Sequence, residues 1–267
     1  MESAQAEILY NEQVARGYYR LGLGWKTPPI VPGHFVMLRV EHGLDPLLRR
    51  PFGIYKVLGA TGKPPSPLRG TGVEILYQVV GKGTEILSLK APGETIDILG
   101  PLGGGFPAPA EGEETVLVAG GMGIAPLYLF AAALKEGLLL FGSRDKSVAR
   151  IADEFKGFNC DIEIATDDGS AGRKGFVTTL LEEAATPETV IYACGPLPML
   201  KAASAIAGKA GARCFVSLER AMACGIGVCL GCAVKMKDGG EKENRNYRMV
   251  CSDGPVFDSR AIDWDVL

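Results

Sequence analysis

The sequence lacks long apolar runs and a strong excess of either charge. No apolar stretch is long enough to span a bilayer, which argues against a helical membrane protein. The net charge is only −3, so nothing points to nucleic acid or an anionic membrane as a partner. The first residues also lack the basic, apolar and small-residue order of a signal peptide. We therefore expect a cytoplasmic protein.

Histidine is scarce too, and the sequence shows no evident site for general acid–base catalysis. The two histidines, His34 and His42, lie in a segment of short predicted strands, where we expect surface or barrel-edge positions. Apolar residues, by contrast, make up 47% of the 267 positions, enough to bury a sizeable core. The length predicts two or three domains.

Four of the seven cysteines are grouped near the end of the chain. Cys224, Cys229 and Cys232 lie in "MACGIGVCLGCAVKM", and Cys251 follows, which gives C-x4-C-x2-C-x18-C. This spacing is typical of a plant-type [2Fe–2S] cluster, and neighbouring glycines allow a tight loop around the sulfurs. A structural zinc site is the main alternative, although zinc ribbons usually have two CxxC pairs and this chain has one. Unliganded thiols are the third interpretation.

The other three cysteines, Cys160, Cys194 and Cys214, fall in strand-like stretches, where we expect buried core positions.

The middle of the chain predicts a nucleotide-binding domain. In "EETVLVAGGMGIAPLYLFAAALKEG" a β-branched strand enters a glycine turn and then an apolar helix, whose free N–H groups suit a pyrophosphate. Strands and helices alternate from there, which predicts a doubly wound α/β domain over residues 111–217. Ligands bind such folds beyond the carboxyl ends of the strands. The candidate residues at these ends are Gly120, Gly121, Gly123, Cys194, Gly195 and Pro196.

Residues 1–110 have a different pattern. Short β-rich segments separated by Pro/Gly clusters predict an antiparallel barrel, and "GPLGGGFPAPAEGEE" marks the domain boundary. Between the strands, "LLRRPFGIYKV" carries two adjacent arginines that could face a diphosphate or simply cap a strand. Residues 218–267 then form a small module around the clustered cysteines.

Together these motifs resemble the ferredoxin–NADP reductase superfamily. The R-P-F stretch, the G-K-G-T turn, GGMGIAP and CGP occur in that order, and the cysteine loop followed by "CSDGPVF" narrows the resemblance to the electron-transfer subunits of type B dihydroorotate dehydrogenase. The resemblance implies FAD held between barrel and α/β domain, NAD as the nucleotide, and a [2Fe–2S] relay. It also implies a separate FMN-containing catalytic subunit, a heterotetramer of two copies of each chain, and a role in pyrimidine biosynthesis.

The resemblance also assigns roles to residues, with no catalytic residue among them. The flavin and its diphosphate would contact Arg50, Pro51, Phe52, Gly53, Leu76, Tyr77, Gln78, Gly83 and Thr84. The cluster would be held by Cys224, Cys229, Cys232 and Cys251.

Two features depart from the family pattern. Gly53 stands where a serine or threonine is common, which removes a hydroxyl near the flavin. The interval between Cys232 and Cys251 is long, and "KDGGEKENRNY" within it predicts a solvated insertion that costs little stability.

Alternative functions stay open from the sequence. Small subunits of flavin-based NAD(P)H–ferredoxin oxidoreductases and sulfide dehydrogenases are similar, although their first cluster position is often aspartate, where this chain has Cys224. A non-enzymatic zinc-binding regulator is a second alternative. For the nucleotide, Asp167 and Asp168 favour NADH over NADPH because carboxylates repel a 2′-phosphate, while Arg144 is a signal in the opposite direction.

Overall fold

The computed structural model describes residues 1–60, 68–237 and 246–267. Two seven-stranded sheets and one two-stranded sheet account for the strands in these ranges. Within them, no helix is both long enough and apolar enough to cross a membrane. Most of the predicted insertion at 237–247 lies outside the described residues.

The N-terminal part is an antiparallel sheet that curls on itself. The strand order is β4-β3-β7-β1-β2-β6-β5, and β4 also contacts β6, so the sheet bends into a barrel. Burial alternates along β7, as expected for strands with one face on a core. Its elements are β1 Glu2–Ala15, β2 Tyr18–Gly24, β3 Phe35–Arg39, β4 Arg50–Gly53, β5 Lys56–Leu58, β6 Gly72–Gln78, α1 Lys82–Ser88 and β7 Thr95–Leu102.

The second sheet is parallel through its centre. Its strands β8 and β12 are buried on both faces, which is why their sequences are continuous apolar runs. The elements are β8 Glu114–Gly120, a 3₁₀ turn Gly121–Gly123, α2 Ile124–Ala131, β9 Leu138–Ser143, α3 Lys146–Ala149, a 3₁₀ segment Arg150–Phe155, β10 Asp161–Thr166, β11 Arg173–Lys174, α4 Val177–Ala184, β12 Thr189–Cys194, α5 Leu197–Ala210 and β13 Arg213–Ser217.

The order of these strands places a ligand site. From one edge the sheet has the order β11-β10-β9-β8-β12-β13, so the chain reverses direction across the sheet between β8 and β12. Helix α2 packs on one face of the sheet, and α4 and α5 pack on the other. Open α/β sheets bind ligands in the crevice at such a reversal, beyond the carboxyl ends of the strands. The predicted barrel and doubly wound domain are both confirmed.

The C-terminal segment joins the second sheet directly. Its strands are β14 Ala233–Lys235, β15 Tyr247–Met249 and β16 Val256–Asp258, followed by a 3₁₀ turn Ser259–Ala261. Strands β14 and β15 form a small hairpin-like pair, whereas β16 adds antiparallel to β13 at the edge of the large sheet. The cysteine module is therefore hydrogen-bonded to the α/β domain through β16.

The three remaining cysteines divide into two kinds. Cys194 and Cys214 are buried, as predicted, and burial raises the pKa of the Cys214 thiol to about 12. Cys160 is only half-buried and lies one residue before β10, so its predicted place inside a buried strand is wrong. Its Sγ would lie 3.4 Å from a Cβ added at Gly137, so it packs beside the residue that precedes β9.

Candidate functional site

Two cavities lie side by side where the barrel meets the α/β domain. The barrel cavity measures about 390 Å³ and the sheet-end cavity about 790 Å³. The barrel cavity is lined by Gly33, Phe35, Pro51, Phe52, Gly53, Pro126, Cys194, Ser217, Leu218, Glu219, Arg220, Ala221, Met222 and Pro255. The sheet-end cavity is lined by Tyr18, Gln78, Gly120, Gly121, Met122, Gly123, Gly142, Ser143, Arg144, Asp167, Gly175, Phe176, Val177, Thr178, Gly195, Pro196, Pro198, Met199, Ala202 and Glu219.

Strand β4 forms the barrel side of the barrel cavity with Pro51, Phe52 and Gly53. A Cβ added at Gly53 would lie 2.9 Å from Cγ of Pro126, which belongs to α2. A serine or threonine at this position would need one of the two elements to shift. The close approach of β4 and α2 is thus a physical reason for the glycine that departs from the family pattern.

Arg50 extends away from the barrel cavity. Its side chain lies beside the start of α1, and a Cβ at Gly83 would be 2.7 Å from Nε of Arg50. Arg50 also donates to the carbonyl of Leu48 and lines a surface recess that includes Lys82. Two cations and the glycine backbone of α1 therefore meet at one place, where Lys82 is paired with the carboxylate of Asp45 and Arg50 is the cation left for a diphosphate.

The hydroxyl of Thr84 is occupied within the same turn. Its Oγ1 accepts from N of Val80 at 2.9 Å and from N of Gly81 at 3.2 Å, and donates to O of Gly81 at 2.9 Å. Thr84 therefore shapes the turn in front of α1. A direct contact of its side chain with the flavin diphosphate stays a prediction.

The three consecutive residues predicted along the flavin separate in space. Gln78 lines the sheet-end cavity, whereas the side chain of Leu76 packs in the core together with Tyr18. Tyr77 is buried, donates from its hydroxyl to Oδ1 of Asn11 at 3.0 Å, and stacks on another tyrosine of the barrel. Any contact of Leu76 and Tyr77 with flavin stays a prediction, and their side chains face neither cavity.

The predicted glycine turn forms the floor of the sheet-end cavity. A Cβ at Gly123 would be 1.9 Å from the carbonyl oxygen of Cys194, so only glycine allows the ends of β8 and β12 to meet. Gly120 likewise lies against Met199 and Pro196. The structure thus brings the two predicted strand-end motifs together, with Cys194 facing the barrel cavity and its neighbours facing the sheet-end cavity.

The carboxylates proposed to select the nucleotide occupy different positions. Asp167 lines the sheet-end cavity together with Arg144. Asp168 instead accepts a hydrogen bond from N of Ser170 at 2.9 Å, and bonds from Ser170 hold the pKa of its carboxyl below the usual value. Of the two, Asp167 is therefore the one placed to contact a nucleotide.

Several residues at the cavities were missed from the sequence. Tyr18 comes from the barrel, Phe176 is an exposed aromatic before α4, and Glu219 and Arg220 follow the end of β13. The rule that ligands lie beyond strand ends was applied to β8 and β12, and its extension to β13 would have found Glu219. Tyr18 and Phe176 carry no comparable sequence signal.

Cys224, Cys229 and Cys232 lie in the loop before β14, Cys251 lies in the turn after β15, and the four cysteines meet in two pairs. Sγ of Cys232 is 3.3 Å from Sγ of Cys251, and N of Cys229 lies 3.4 Å from Sγ of Cys224. Backbone amides also point at the sulfurs, with N of Gly227 at 3.1 Å from Sγ of Cys251 and N of Ile226 at 3.5 Å from Sγ of Cys224. Such amides stabilise thiolate sulfur.

These hydrogen bonds act on the thiol pKa values. For Cys224 desolvation raises the pKa, but amide bonds from Ile226 and Cys229 outweigh it and lower the pKa to about 6. For Cys251 burial, followed by the hydrogen bond with Cys232, raises the pKa to about 12. A bound iron centre would offset the raised pKa of Cys251, because coordination deprotonates a thiol.

Two glycines give the loop its path. Gly225 and Gly227 have φ values of 75° and 81°, in the region that favours glycine. A Cβ at Gly225 would be 2.8 Å from Cγ of Met37 in the barrel, and one at Gly227 would be 2.8 Å from Oγ of Ser252. The loop therefore packs closely against the barrel at Met37 and against the segment around Cys251 at Ser252.

The donor set fits a binuclear cluster. Two cysteine pairs are what two bridged irons require, with two thiolates on each iron. The arrangement therefore fits the [2Fe–2S] cluster that the cysteine spacing predicts.

Comparison with known proteins agrees with this geometry. The model of the iron–sulfur cluster binding domain of dihydroorotate dehydrogenase B matches residues 219–263, and that of the oxidoreductase NAD-binding domain matches residues 117–205. The electron transfer subunit of dihydroorotate dehydrogenase B (NAD(+)) from Caldanaerobacter subterraneus subsp. tengcongensis is 38% identical over 253 residues, 95% of each chain. The chain belongs to this family of electron transfer subunits.

Other relatives extend the comparison. The subunit of the same name from Bacillus caldolyticus is 42% identical over 85% of this chain and 84% of its own. Among solved structures, the NADH-dependent reduced ferredoxin–NADP oxidoreductase matches with a TM-score of 0.81 and 31% identity, covering 99% of this chain and 91% of that one. Phthalate dioxygenase reductase, at 18% identity and a TM-score of 0.63 over 93% and 94% of the two chains, shares the fold.

These findings confirm the predicted family and the ferredoxin–NADP reductase type of fold. They also confirm, at the level of the family, an oxidoreductase subunit whose cofactor set is FAD, an iron–sulfur cluster and NAD. The relatives' name also implies that a catalytic subunit exists as a partner.

Proposed function

We propose that this chain passes electrons between NAD and the catalytic subunit of a dihydroorotate dehydrogenase, by way of FAD and a [2Fe–2S] cluster. The observation that carries the proposal is the position of the cysteine module. Met222 and Pro255, on either side of the four cysteines in sequence, line the barrel cavity, and Gly225 rests on the barrel at Met37. A cluster in this loop would adjoin a flavin in that cavity. The three modules are assigned to residues 1–110, 111–217 and 218–267.

The residues around the barrel cavity fit a flavin. The cavity has an aromatic and proline wall from Pro51, Phe52 and Pro126, and a cation, Arg220, whose buried Nε has no hydrogen-bond partner among the described residues. Arg50 and the first turn of α1, with Gly83, would hold the diphosphate. When bound, FAD accepts a hydride as two electrons and releases them singly.

The sheet-end cavity would take NAD. Its glycine floor brings backbone close to a pyrophosphate, as in other doubly wound folds. Asp167 would accept hydrogen bonds from ribose hydroxyls, which favours NADH over NADPH. The chain then binds and orients the nucleotide against the flavin cavity. Substrate dehydrogenation itself belongs to the partner. Neither histidine lines either cavity: His34 lies between the lining residues Gly33 and Phe35 and accepts a hydrogen bond from N of Val31, and His42 is exposed.

The exposed rim of the cysteine loop is the proposed contact with the partner. Cys229 is exposed, and Ile226, Val228 and Leu230 around it are exposed by 42%, 74% and 64%. Apolar side chains grouped at a surface mark interaction sites. An FMN-containing catalytic subunit docked here would lie close to the cluster, and two copies of each chain would give a heterotetramer.

A second candidate is the small subunit of a flavin-based NAD(P)H–ferredoxin oxidoreductase. It is favoured by the 0.81 TM-score with such an enzyme. The four-cysteine set, with Cys224 at the first position, favours the dihydroorotate system.

Affinity purification of the tagged chain from its host distinguishes the two candidates. We expect a flavoprotein with a [2Fe–2S] spectrum that copurifies with a second flavoprotein, and a complex that reduces NAD⁺ with dihydroorotate. A complex that is inert toward dihydroorotate but reduces ferredoxin would establish the second candidate instead. A colourless protein with one bound zinc would overturn both.

A further inference from the structure

Glu219 occupies a position shared by no other side chain of the two cavity walls. It lies two residues beyond β13 and is the one residue in the described part of the chain that lines both the barrel cavity and the sheet-end cavity. Glu219 therefore lies on the boundary between the space assigned to flavin and the space assigned to nucleotide. This boundary is where a nicotinamide must meet a flavin if hydride is to pass.

The carboxyl of Glu219 is not used by the fold. It makes no hydrogen bond or ion pair with any residue in the ranges that the structure describes, and partial desolvation by the surrounding cavity walls raises the pKa of the carboxyl above its usual value. Its charge reaches Cys194 in the same wall, where it adds to the burial that raises the pKa of that thiol. Glu219 as a whole is exposed, so its unpaired carboxylate is accessible in the free chain and available to a ligand.

The other charged groups of the cavities are placed differently. Arg220 lines only the barrel cavity, and Arg144 and Asp167 line only the sheet-end cavity. Arg144 and Asp167 follow the ends of β9 and β10, on the opposite side of β8 from the strand that leads to Glu219. The carboxyl of Glu219 is therefore the negative group available where the two cavities join.

We propose that Glu219 is a specificity-determining residue that favours oxidised over reduced nicotinamide. The inference rests on the proposed assignment of the two cavities. The nicotinamide ring is neutral in NADH and carries a positive charge in NAD⁺ once its hydride has moved to the flavin. A carboxylate beside the ring attracts the positively charged ring of NAD⁺ and has little electrostatic interaction with the neutral ring of NADH. It therefore favours the reaction in which NADH donates its hydride.

The test compares nucleotide affinities, not turnover. NAD⁺ and 1,4,5,6-tetrahydro-NAD, a neutral analogue that gives no hydride, are titrated calorimetrically into the flavin- and cluster-loaded protein. Glu219→Gln keeps the shape and removes the charge. We expect it to weaken NAD⁺ binding about tenfold, the scale of one charge-assisted contact, and to change binding of the analogue less than about twofold.

Two further variants make the result specific. Glu219→Asp keeps the charge and should retain the preference for NAD⁺, which also covers the case in which the glutamine variant folds poorly. Asp167→Asn, at the far end of the sheet-end cavity, should weaken both ligands equally. An equal effect of Glu219→Gln on both ligands, or none, overturns the inference and leaves the proposed function standing. Failure of the unaltered protein to bind either ligand overturns both.

Discussion

The barrel and the cysteine module are attached to the α/β domain in different ways, because the barrel adds a group of charges to the apolar packing of Tyr18, Tyr55 and Leu76. Where the barrel meets it, Glu74 is almost fully buried and contacts Tyr10, Arg20 at 3.7 Å and Lys56 at 3.5 Å. Arg20 and Lys56 also pair with Glu154 of the α/β domain. Tyr10, Arg20, Lys56, Glu74 and Glu154 form the charged junction. It places charged side chains of both domains in a half-buried contact.

The cysteine module has an apolar junction instead. Phe257 and Ile262 are buried in the same core as Val216 of β13, and β16 continues the sheet through backbone hydrogen bonds. An ion pair between Lys201 and Asp265 lies at the edge, with side chains exposed by 55% and 93%. Apolar contacts do not require particular atoms to meet, whereas the ion pairs of a charged junction do. We infer that the apolar contacts and β16 keep the cysteine module attached to the sheet. The ion pairs of the charged junction fix the orientation of the barrel.

Removing an apolar anchor of the module should have the largest effect. Phe257→Ala deletes a nearly buried aromatic side chain and should destabilise the protein by about 3–5 kcal/mol, because it leaves a cavity in the shared core. Urea unfolding gives the free energy, and iron content should fall in parallel. Unchanged stability with full iron would show that β16 is held by its backbone bonds alone.

Arg50→Ala should affect the barrel side without touching the module. A charge-assisted contact with a diphosphate is worth about 1.5–3 kcal/mol, so the variant should release FAD on dilution. Flavin fluorescence in the filtrate measures the release, and iron content should stay constant. Full flavin occupancy in a folded variant would mean that Arg50 has only its contacts near Leu48 and Gly83.

Lys56→Met breaks the charged junction itself. It leaves two carboxylates, Glu74 and Glu154, with one cation fewer between them, and we expect a loss of about 2 kcal/mol together with a raised KM for NADH. Iron content should not change. The matched control is Lys156→Met, whose pair with Asp153 is exposed and should contribute less than about 0.5 kcal/mol. Equal effects of both substitutions would contradict the distinction between the two junctions.

The smallest effect concerns a surface charge of the module. Burial raises the pKa of Asp258, but hydrogen bonds from the Arg260 side chain and backbone outweigh it, and the net pKa lies below its usual value. Because the folded pKa is lowered, its contribution is present above the unfolded pKa of about 4 and is lost as the pH falls through the folded value. Asp258→Asn should therefore cost less than about 1 kcal/mol at pH 7. Unfolding curves of the two proteins should converge once the pH falls below the folded pKa of Asp258, and a gap that persists there would show a different cause.

Sequence patterns predicted the parts of this molecule that depend on local order. The glycine turn at Gly120–Gly123, the CGP strand end and the cysteine spacing are short motifs whose geometry follows from neighbouring residues. The charged junction was not predictable, because Tyr10, Arg20, Lys56, Glu74 and Glu154 are far apart in the chain and only the fold brings them together. The same holds for β16, a three-residue strand whose partner β13 lies about 40 residues earlier.

The direction in which side chains point could not be predicted from the sequence either. Leu76, Tyr77 and Gln78 are consecutive, and a family motif treats them alike, yet strand alternation and the curl of the barrel turn the first two into cores. Glu219 shows the reverse case, since no motif marks it and only the fold shows that it lines both cavities.

The central claim is that electrons pass between the flavin and the partner subunit through the cysteine loop, and the variant Cys251→Ser tests it most directly. The measurement is the rate of dihydroorotate-dependent NAD⁺ reduction by the assembled complex, with iron content determined on the same sample because serine can itself ligate iron. Cys160→Ser, outside the loop, is the matched control and should keep the full rate. The account predicts that Cys251→Ser loses cluster iron and the coupled rate while retaining FAD and NADH–ferricyanide activity. A cluster-free complex that still couples dihydroorotate to NAD⁺ would contradict it.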